Sequence, residues 1–523
     1  MYHPRCRPAS AVDVGTGRRP ETEPQPRCMG GKPAGSHFFR WLRKEINLRK
    51  REPRSVAPIA AARGPRGSFR RAAGAQRRGW PCAEAVQRRL AAVRVNWKGL
   101  AAVPAIVLLA GAITMATMGA WPALHGAQRL QPTMSKPRPA DPPQPMAKQD
   151  VQELIAGVNF LNRTDSRLEL RRGNACFTLQ TTLDPDLQHA LIPRLDRKNS
   201  RYIGIVAMEP TDGRVLAMAG YDRANPDGNP CLDSRFPAAS VFKIITAAAA
   251  VEAGDLDPGD VLRFCGGKYT LYKFQITSKL PKKANQITLK DSFAQSVNPV
   301  FGRLGADLLG KEVIEAYAVA FGFNREIDFE LPLRPSRIEL ADSAYELAEV
   351  ASGFNRTTRI SPLHGAAMAS AVVNQGVWVE PTIIDWVSDD SGQPVYQGQT
   401  AYRDPAIDRD TARILRQMMQ ATVQSGTAHR EFQKHHDDKV LSRLEIGGKT
   451  GSMGDGTGET RYDWFVGYAR EPQRKKQLVV AVVVTHEGHI GTRAAAYAVM
   501  AIKEYFQGAS DLLHTQVQPP PRS

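Results

Sequence analysis

The sequence predicts an α/β domain of the α+β kind: a five-stranded, mostly antiparallel sheet flanked by helices, with an all-helical subdomain beside it. Three observations predict this. Residues 202–209 alternate into an apolar run, Pro210-Thr211-Asp212-Gly213 supplies a turn, and residues 214–220 return, which together make a hairpin. Three further strand patterns lie far downstream, at 444–452, 464–470 and 477–486. The stretch between them is helical in pattern. One sheet built from both ends of the domain, with helices inserted in the middle, accommodates all five strands.

The helical middle divides at its polar and glycine breaks. Helices are expected at 240–253, 289–309, 312–321, 345–351, 362–374 and 408–422, with a closing helix at 492–507. Ser240 opens an alanine-rich helix that Gly254 can end, and Pro299 marks a break just after Ser296-Val297-Asn298. A short helix is expected within 151–161. The folded domain is expected to run over 176–510, with a loose tail at 511–523.

Charge separates this domain from what precedes it. Residues 1–98 hold 23 Lys and Arg against 6 Asp and Glu, a net of +17, while the whole chain carries +18. The folded region is therefore near neutral, and the high pI belongs to the tail. That tail is rich in Arg, Gly, Pro and Ala without an apolar period, so it is expected to be disordered and to interact with anionic lipid rather than with a specific nucleic acid. Residues 99–123 contain no charged residue and are long enough to cross a bilayer. Trp97 and Trp121 stand near the two ends, and Arg88, Arg89, Arg94 and Lys98 precede the span. A single-pass transmembrane anchor is expected, with the N-terminus in the cytoplasm and the domain outside. Six prolines within 131–148 make 124–175 an extended linker and spacer.

Cys176, Cys231 and Cys265 fall on the outer side, where disulfides are permitted. Cys231 and Cys265 are the preferred pair, with no bridge as an equal alternative. No Cys/His spacing suggests zinc, and His435-His436-Asp437-Asp438, flanked by lysines, reads as a solvated loop. Neither a metal nor a cofactor is expected.

Three short motifs carry chemistry. Ser240-Val241-Phe242-Lys243 places a lysine one helical turn from a serine, on the same face. Such a lysine serves as a base when burial or a nearby cation lowers its pKa, and Lys449 is the candidate cation. Ser296-Val297-Asn298 adds a hydroxyl to relay a proton and an amide to bind a substrate amide. Lys449-Thr450-Gly451-Ser452 ends a strand; its lysine and threonine can hold a carboxylate, and Gly451 lets a substrate backbone approach. The backbone N–H groups of Ser240 and Ser452 are the candidate oxyanion hole. Together these parts open an amide through an acyl-serine without histidine.

In this order, the motifs resemble those of the transpeptidase domain of penicillin-binding proteins, a β-lactamase/transpeptidase-like fold. The resemblance spans roughly 176–507. It includes the entry segment 181–188, the hairpin 205–220, Ser361-Pro362-Leu363-His364, Asn374-Gln375-Gly376 and Asp463-Trp464-Phe465-Val466-Gly467-Tyr468. It implies a D,D-transpeptidase acting on peptidoglycan stem peptides ending in D-Ala-D-Ala, with Ser240 as nucleophile. Lys243 and Ser296 would be its catalytic partners, Asn298, Lys449, Thr450, Gly451 and Ser452 would bind substrate, and β-lactams would trap Ser240. It also implies a bacterial cytoplasmic-membrane location and a separate glycan-polymerising membrane partner. Val297 stands where the S-D-N signature has Asp, which shifts weight from soluble β-lactamases toward penicillin-binding proteins. The spacer is shorter than the pedestal of the high-mass monofunctional branch. A D,D-carboxypeptidase or β-lactamase of the same fold is the first alternative, and a non-catalytic β-lactam sensor or division scaffold the second.

Overall fold

The computed structural model describes residues 145–515. The early hairpin is β1 (Ser200–Met208) and β2 (Val215–Asp222); the late strands are β3 (Glu445–Gly454), β4 (Thr460–Glu471) and β5 (Lys476–Glu487). They lie in the order β3-β4-β5-β1-β2, every neighbouring pair antiparallel. The two ends of the domain therefore meet at the sheet centre, where Ile205 faces Val482 and Val206 faces Ala481.

A central strand covered on both faces should be apolar throughout, and residues 478–484 of β5 are fully buried. Its alternation divides the core. Val480, Val482 and Val484 join Ile205, Phe465 and the closing helix, whereas Val479, Ala481 and Val483 join Val206, Val466 and the helical insertion.

Seven helices frame the site: α1 (Lys243–Glu252), α2 (Leu289–Ala294), α3 (Asn298–Arg303), α4 (Ala344–Ser352), α5 (Pro362–Val373), α6 (Arg409–Gln424) and α7 (Ala494–Thr515). All twelve residues of α5 are buried, as befits a helix apolar on every side. A Cβ at Gly365 would stand 3.1 Å from Val466 and 3.3 Å from Ala481, so this glycine sets how closely α5 lies on the sheet. Opposite, α7 covers the other face.

The structure departs from expectation in three places. The helix expected over 289–309 is broken into α2, α3 and a π-helical turn, Leu304–Leu309. The break falls at Ser296, whose φ is +57°, and Pro299 sits inside the first turn of α3, where its missing N–H costs nothing. The fold also begins before the expected boundary at 176. A helix, Lys148–Leu154, buries Val151 and Leu154, and Arg167–Arg172 pairs with Ala175–Thr181. That pair continues through Ile384–Ser388 to Pro394–Gln397 as a second, four-stranded sheet. Its strands are short and half exposed, so they lack a clean apolar period.

Finally, Cys176, Cys231 and Cys265 are free, so the preferred bridge is not formed. The Cys231 thiol is buried between β1 and β2, 3.4 Å from the carbonyls of Ile205 and Ala219, and burial pushes its pKa up to about 12. In the 435–438 loop, Asp438 accepts from the Val440 and Leu441 N–H groups and pairs with Lys503. No helix among the described residues is long and apolar enough to cross a membrane; the expected span at 99–123 and the tail at 1–98 lie outside those residues.

Candidate active site

Ser240 lies in a 3₁₀ turn, Ala239–Phe242, that leads into α1 at Lys243, rather than inside the α-helix itself. Ala239 has φ +48°, a conformation that costs an alanine energy and is held only by its surroundings. Gly353, just past α4, has φ +65° and packs against this turn so closely that a Cβ would stand 1.8 Å from the Ala239 carbonyl oxygen. From the other side comes β3: a Cβ on Gly451 would lie 3.4 Å from the Ser240 amide nitrogen. A turn and a strand edge this close bring the Ser240 and Ser452 backbones to one place.

The Lys243 side chain is fully buried. Its Nζ lies 2.8 Å from Ser240 Oγ, 2.7 Å from Asn298 Oδ1 and 2.5 Å from the Ser352 carbonyl. Burial first, and the Lys449 charge second, hold its pKa well below the ordinary lysine value. A neutral amine has two N–H donors and one lone pair. The two carbonyl oxygens occupy the donors, and the Ser240 hydroxyl can donate to the lone pair.

Lys449 is fully buried too and does not line the cleft, contrary to its expected place as a direct carboxylate ligand. It sits behind Ser296, donating to Ser296 Oγ at 3.0 Å and to the Thr450 carbonyl at 2.8 Å, and burial lowers its pKa to about 7. The lysine bonded to Ser296 is therefore Lys449, not Lys243. Asn298 is divided between two tasks: Oδ1 accepts from Lys243 while Nδ2 donates to the Tyr269 carbonyl at 3.0 Å, leaving one N–H for a substrate.

A cleft of about 380 Å³ opens over these groups, lined by Ser240, Ser296, Asn298, Thr450, Gly451 and Ser452. Six of the eight residues singled out from sequence thus line one surface, with Lys243 beneath Ser240 and Lys449 beneath Ser296. Sequence reasoning missed the residues that complete it. The hydroxyls of Thr427 and Thr450 hydrogen-bond each other at 2.5 Å, and Arg461 Nε donates to Ser452 Oγ at 2.8 Å. Tyr269, Phe354 and Arg493 line the same cleft. These come from loops and a neighbouring strand with no motif of their own; only Arg461, opposite Gly454 on β4, was within reach of a strand-register argument. Trp464 is buried and donates to the Pro237 carbonyl at 2.9 Å, which fixes the chain entering the nucleophile turn.

The depressed pKa of Lys449 sets a stability prediction. With a folded value near 7 and an ordinary value of 10.5, the unfolded chain binds the extra proton between those limits, so stability rises with pH across that window. Below it the cost of burying the charge is fully present. The stability of Lys449→Met relative to wild type should thus be most favourable at pH 6 and fall as pH rises towards 10.5, on top of a pH-independent cost for the two hydrogen bonds it forfeits. Paired denaturation midpoints across that range test the sign.

A family description, the penicillin-binding protein transpeptidase domain, matches residues 203–504, more than half the chain. The chain belongs to this family, as its three motifs suggested. It is 27% identical over 307 residues to penicillin-binding protein PbpB of Mycolicibacterium smegmatis, covering 53% of this chain and 44% of that one. It is 24% identical over 379 residues to the peptidoglycan D,D-transpeptidase PbpA of the same organism, covering 63% and 73%. The chain thus spans less than half the length of the first relative. Among solved structures, the D,D-transpeptidase domain of a peptidoglycan glycosyltransferase from Eggerthella lenta superposes with a TM-score of 0.53 at 27% identity, covering 63% of this chain and 83% of that one. An imipenem acyl-enzyme complex of penicillin-binding protein A from M. tuberculosis has the same fold, with a TM-score of 0.51 at 22% identity over 62% and 79% of the chains.

Proposed function

We propose that the chain is a membrane-anchored peptidoglycan D,D-transpeptidase that crosslinks stem peptides through an acyl-Ser240 intermediate and is acylated by β-lactams. The observation that carries this is the Lys243 amine, buried, depressed in pKa and 2.8 Å from Ser240 Oγ. Relatives named as peptidoglycan D,D-transpeptidases support the substrate class.

In this reading the Ser240 oxygen attacks the carbonyl carbon of the penultimate D-alanine as its proton passes to Lys243. The developing oxyanion points at the Ser240 and Ser452 N–H groups, where each donor typically contributes about a hundred- to thousand-fold. The C–N bond breaks as the Ser296 hydroxyl gives its proton to the departing D-alanine nitrogen and is reprotonated by Lys449. Thr450 and Ser452, with Arg461 behind Ser452, hold the terminal carboxylate. An amine from a second stem peptide then attacks the ester, its proton passing through Ser296 to Lys449, and the C–O bond breaks as Lys243 returns its proton to Ser240 Oγ. Residues 99–123 hold the domain on the outer side of the cytoplasmic membrane, and a separate membrane protein polymerises the glycan. Membrane fractionation tests the anchor; purification without any glycan-polymerising protein would count against that partner.

Labelling with fluorescent penicillin, wild type beside Ser240→Ala, tests the acyl-enzyme. A band that needs Ser240 and persists through a chase is expected. Rapid loss with release of opened drug would favour a hydrolase, and no band from folded protein would favour a scaffold.

A further inference from the structure

Beside the cleft lies a surface that this chemistry does not use. Residues 261–290 carry seven Lys and Arg and no Asp or Glu. A hairpin, Val261–Phe264 with Asn285–Thr288, closes the segment at its base. Of the eight large apolar side chains that stand exposed among the described residues, four belong here, including Tyr269 at 62%, Tyr272 at 57% and Phe274 at 53%. Apolar rings concentrated in one cationic segment mark a binding surface rather than scattered surface residues.

The surface is built, not loose. The Tyr272 and Phe274 rings stack nearly parallel, 5.8 Å apart at 11°. Buried Gln275 holds the turn beneath them, accepting from the Tyr272 N–H and donating to the Cys265 carbonyl, each at 2.7 Å. Leu271 and Ile276 are buried against Ala348 of α4, and the Tyr345 hydroxyl donates to the Leu271 carbonyl at 2.7 Å. Rings fixed this way bind without a large ordering cost.

The segment also joins the cleft directly. Asn298 donates from its backbone N–H to the Lys268 carbonyl at 2.7 Å and from its side chain to the Tyr269 carbonyl. Tyr269 lines the cleft, while Lys268 lines a second trough of about 700 Å³ together with Asn285, Gln286, Thr288, Gln295 and a single carboxylate, Asp291, which accepts from the Thr288 hydroxyl. Amide and hydroxyl side chains suit sugar hydroxyls and acetamido groups, ring faces suit the C–H faces of sugars, and lysines suit peptide carboxylates.

We propose that the 261–290 surface is a subsite for an acidic glycan–peptide strand, the polymer whose stem peptide enters the cleft past Tyr269. The proposal rests on the peptidoglycan reading above. Charge complementarity with a carboxylate-bearing strand and continuity with the cleft favour this occupant over an anionic membrane surface.

The test uses the full-length, detergent-solubilised protein. Lys282→Glu with Lys283→Glu should cut retention on insoluble peptidoglycan by about ten-fold, within the range over which charged patches change association. Labelling of Ser240 by fluorescent penicillin should be unaffected, which also reports that the variant folds. In wild type, soluble uncrosslinked glycan–peptide fragments should slow amide hydrogen exchange within 266–288. Unchanged retention in the variant, or no protection of that segment in wild type, would overturn the proposal. So would a variant that keeps peptidoglycan retention but loses binding to vesicles of anionic lipid, which would assign the surface to the membrane. Failure of penicillin to label wild type would instead overturn the transpeptidase reading itself.

Discussion

Lys243→Met is expected to slow acylation of Ser240 by penicillin by about a hundred- to ten-thousand-fold, the usual contribution of a positioned general base. The hydroxyl would keep its place but lose the lone pair 2.8 Å away that takes its proton. Methionine fills similar volume and removes a fully buried amine, so folding should survive. The Asn298 amide oxygen and Ser352 carbonyl would lose a donor, at a cost of about 1–3 kcal/mol for each group left buried and unpaired. Lys243→Arg should be inactive as well, because a guanidinium stays protonated and cannot serve as the base. Second-order acylation rates, with thermal midpoints as the control for folding, check both variants. Normal acylation in either would remove Lys243 from the base role.

The second large effect is expected from a cleft residue that has no side chain with which to act on substrate. At Gly353 an added Cβ would stand 1.8 Å from the Ala239 oxygen and 3.0 Å from the Ser240 nitrogen, and the backbone there has φ +65°. Either α4 or the nucleophile turn must shift by about an ångström, and a misplacement of that size commonly costs about a hundred-fold in rate. Gly353→Ala should therefore lose acylation on that scale. Gly173 separates the two causes: its φ is +62°, but nothing lies within 4 Å of an added Cβ. Gly173→Ala should lose about 1–2 kcal/mol of stability from the left-handed backbone alone and acylate normally. Equal acylation by both variants would mean that the Gly353 contact does not position Ser240.

Gly353 also illustrates what could be read in the sequence and what could not. Ser240, Ser296 and Lys449 were legible because each sits in a short motif whose spacing implies a local geometry. The five-stranded sheet was legible because residues 478–484 form an apolar run and a turn signal separates β1 from β2. Contacts made across the fold leave no local pattern. Nothing near Gly353 says that α4 ends against Ala239, and nothing near Thr427 says that it meets Thr450. The division of labour between the lysines was hidden for the same reason. Both were expected to face the reaction, yet the left-handed turn at Ser296 joins its hydroxyl to Lys449, and Asn298 takes the place beside Lys243. The second sheet escaped because its half-exposed strands come from two distant segments, 167–181 and 384–397.

The central claim is that acyl-Ser240 is passed to an amine. The most direct measurement incubates the protein with a donor peptide ending in D-Ala-D-Ala and an amine acceptor, and reads products by mass spectrometry. The account predicts an amide product with the mass of donor plus acceptor less one D-alanine, absent with Ser240→Ala. A hydrolysed donor as the sole product, or an amide product that survives Ser240→Ala, would contradict it.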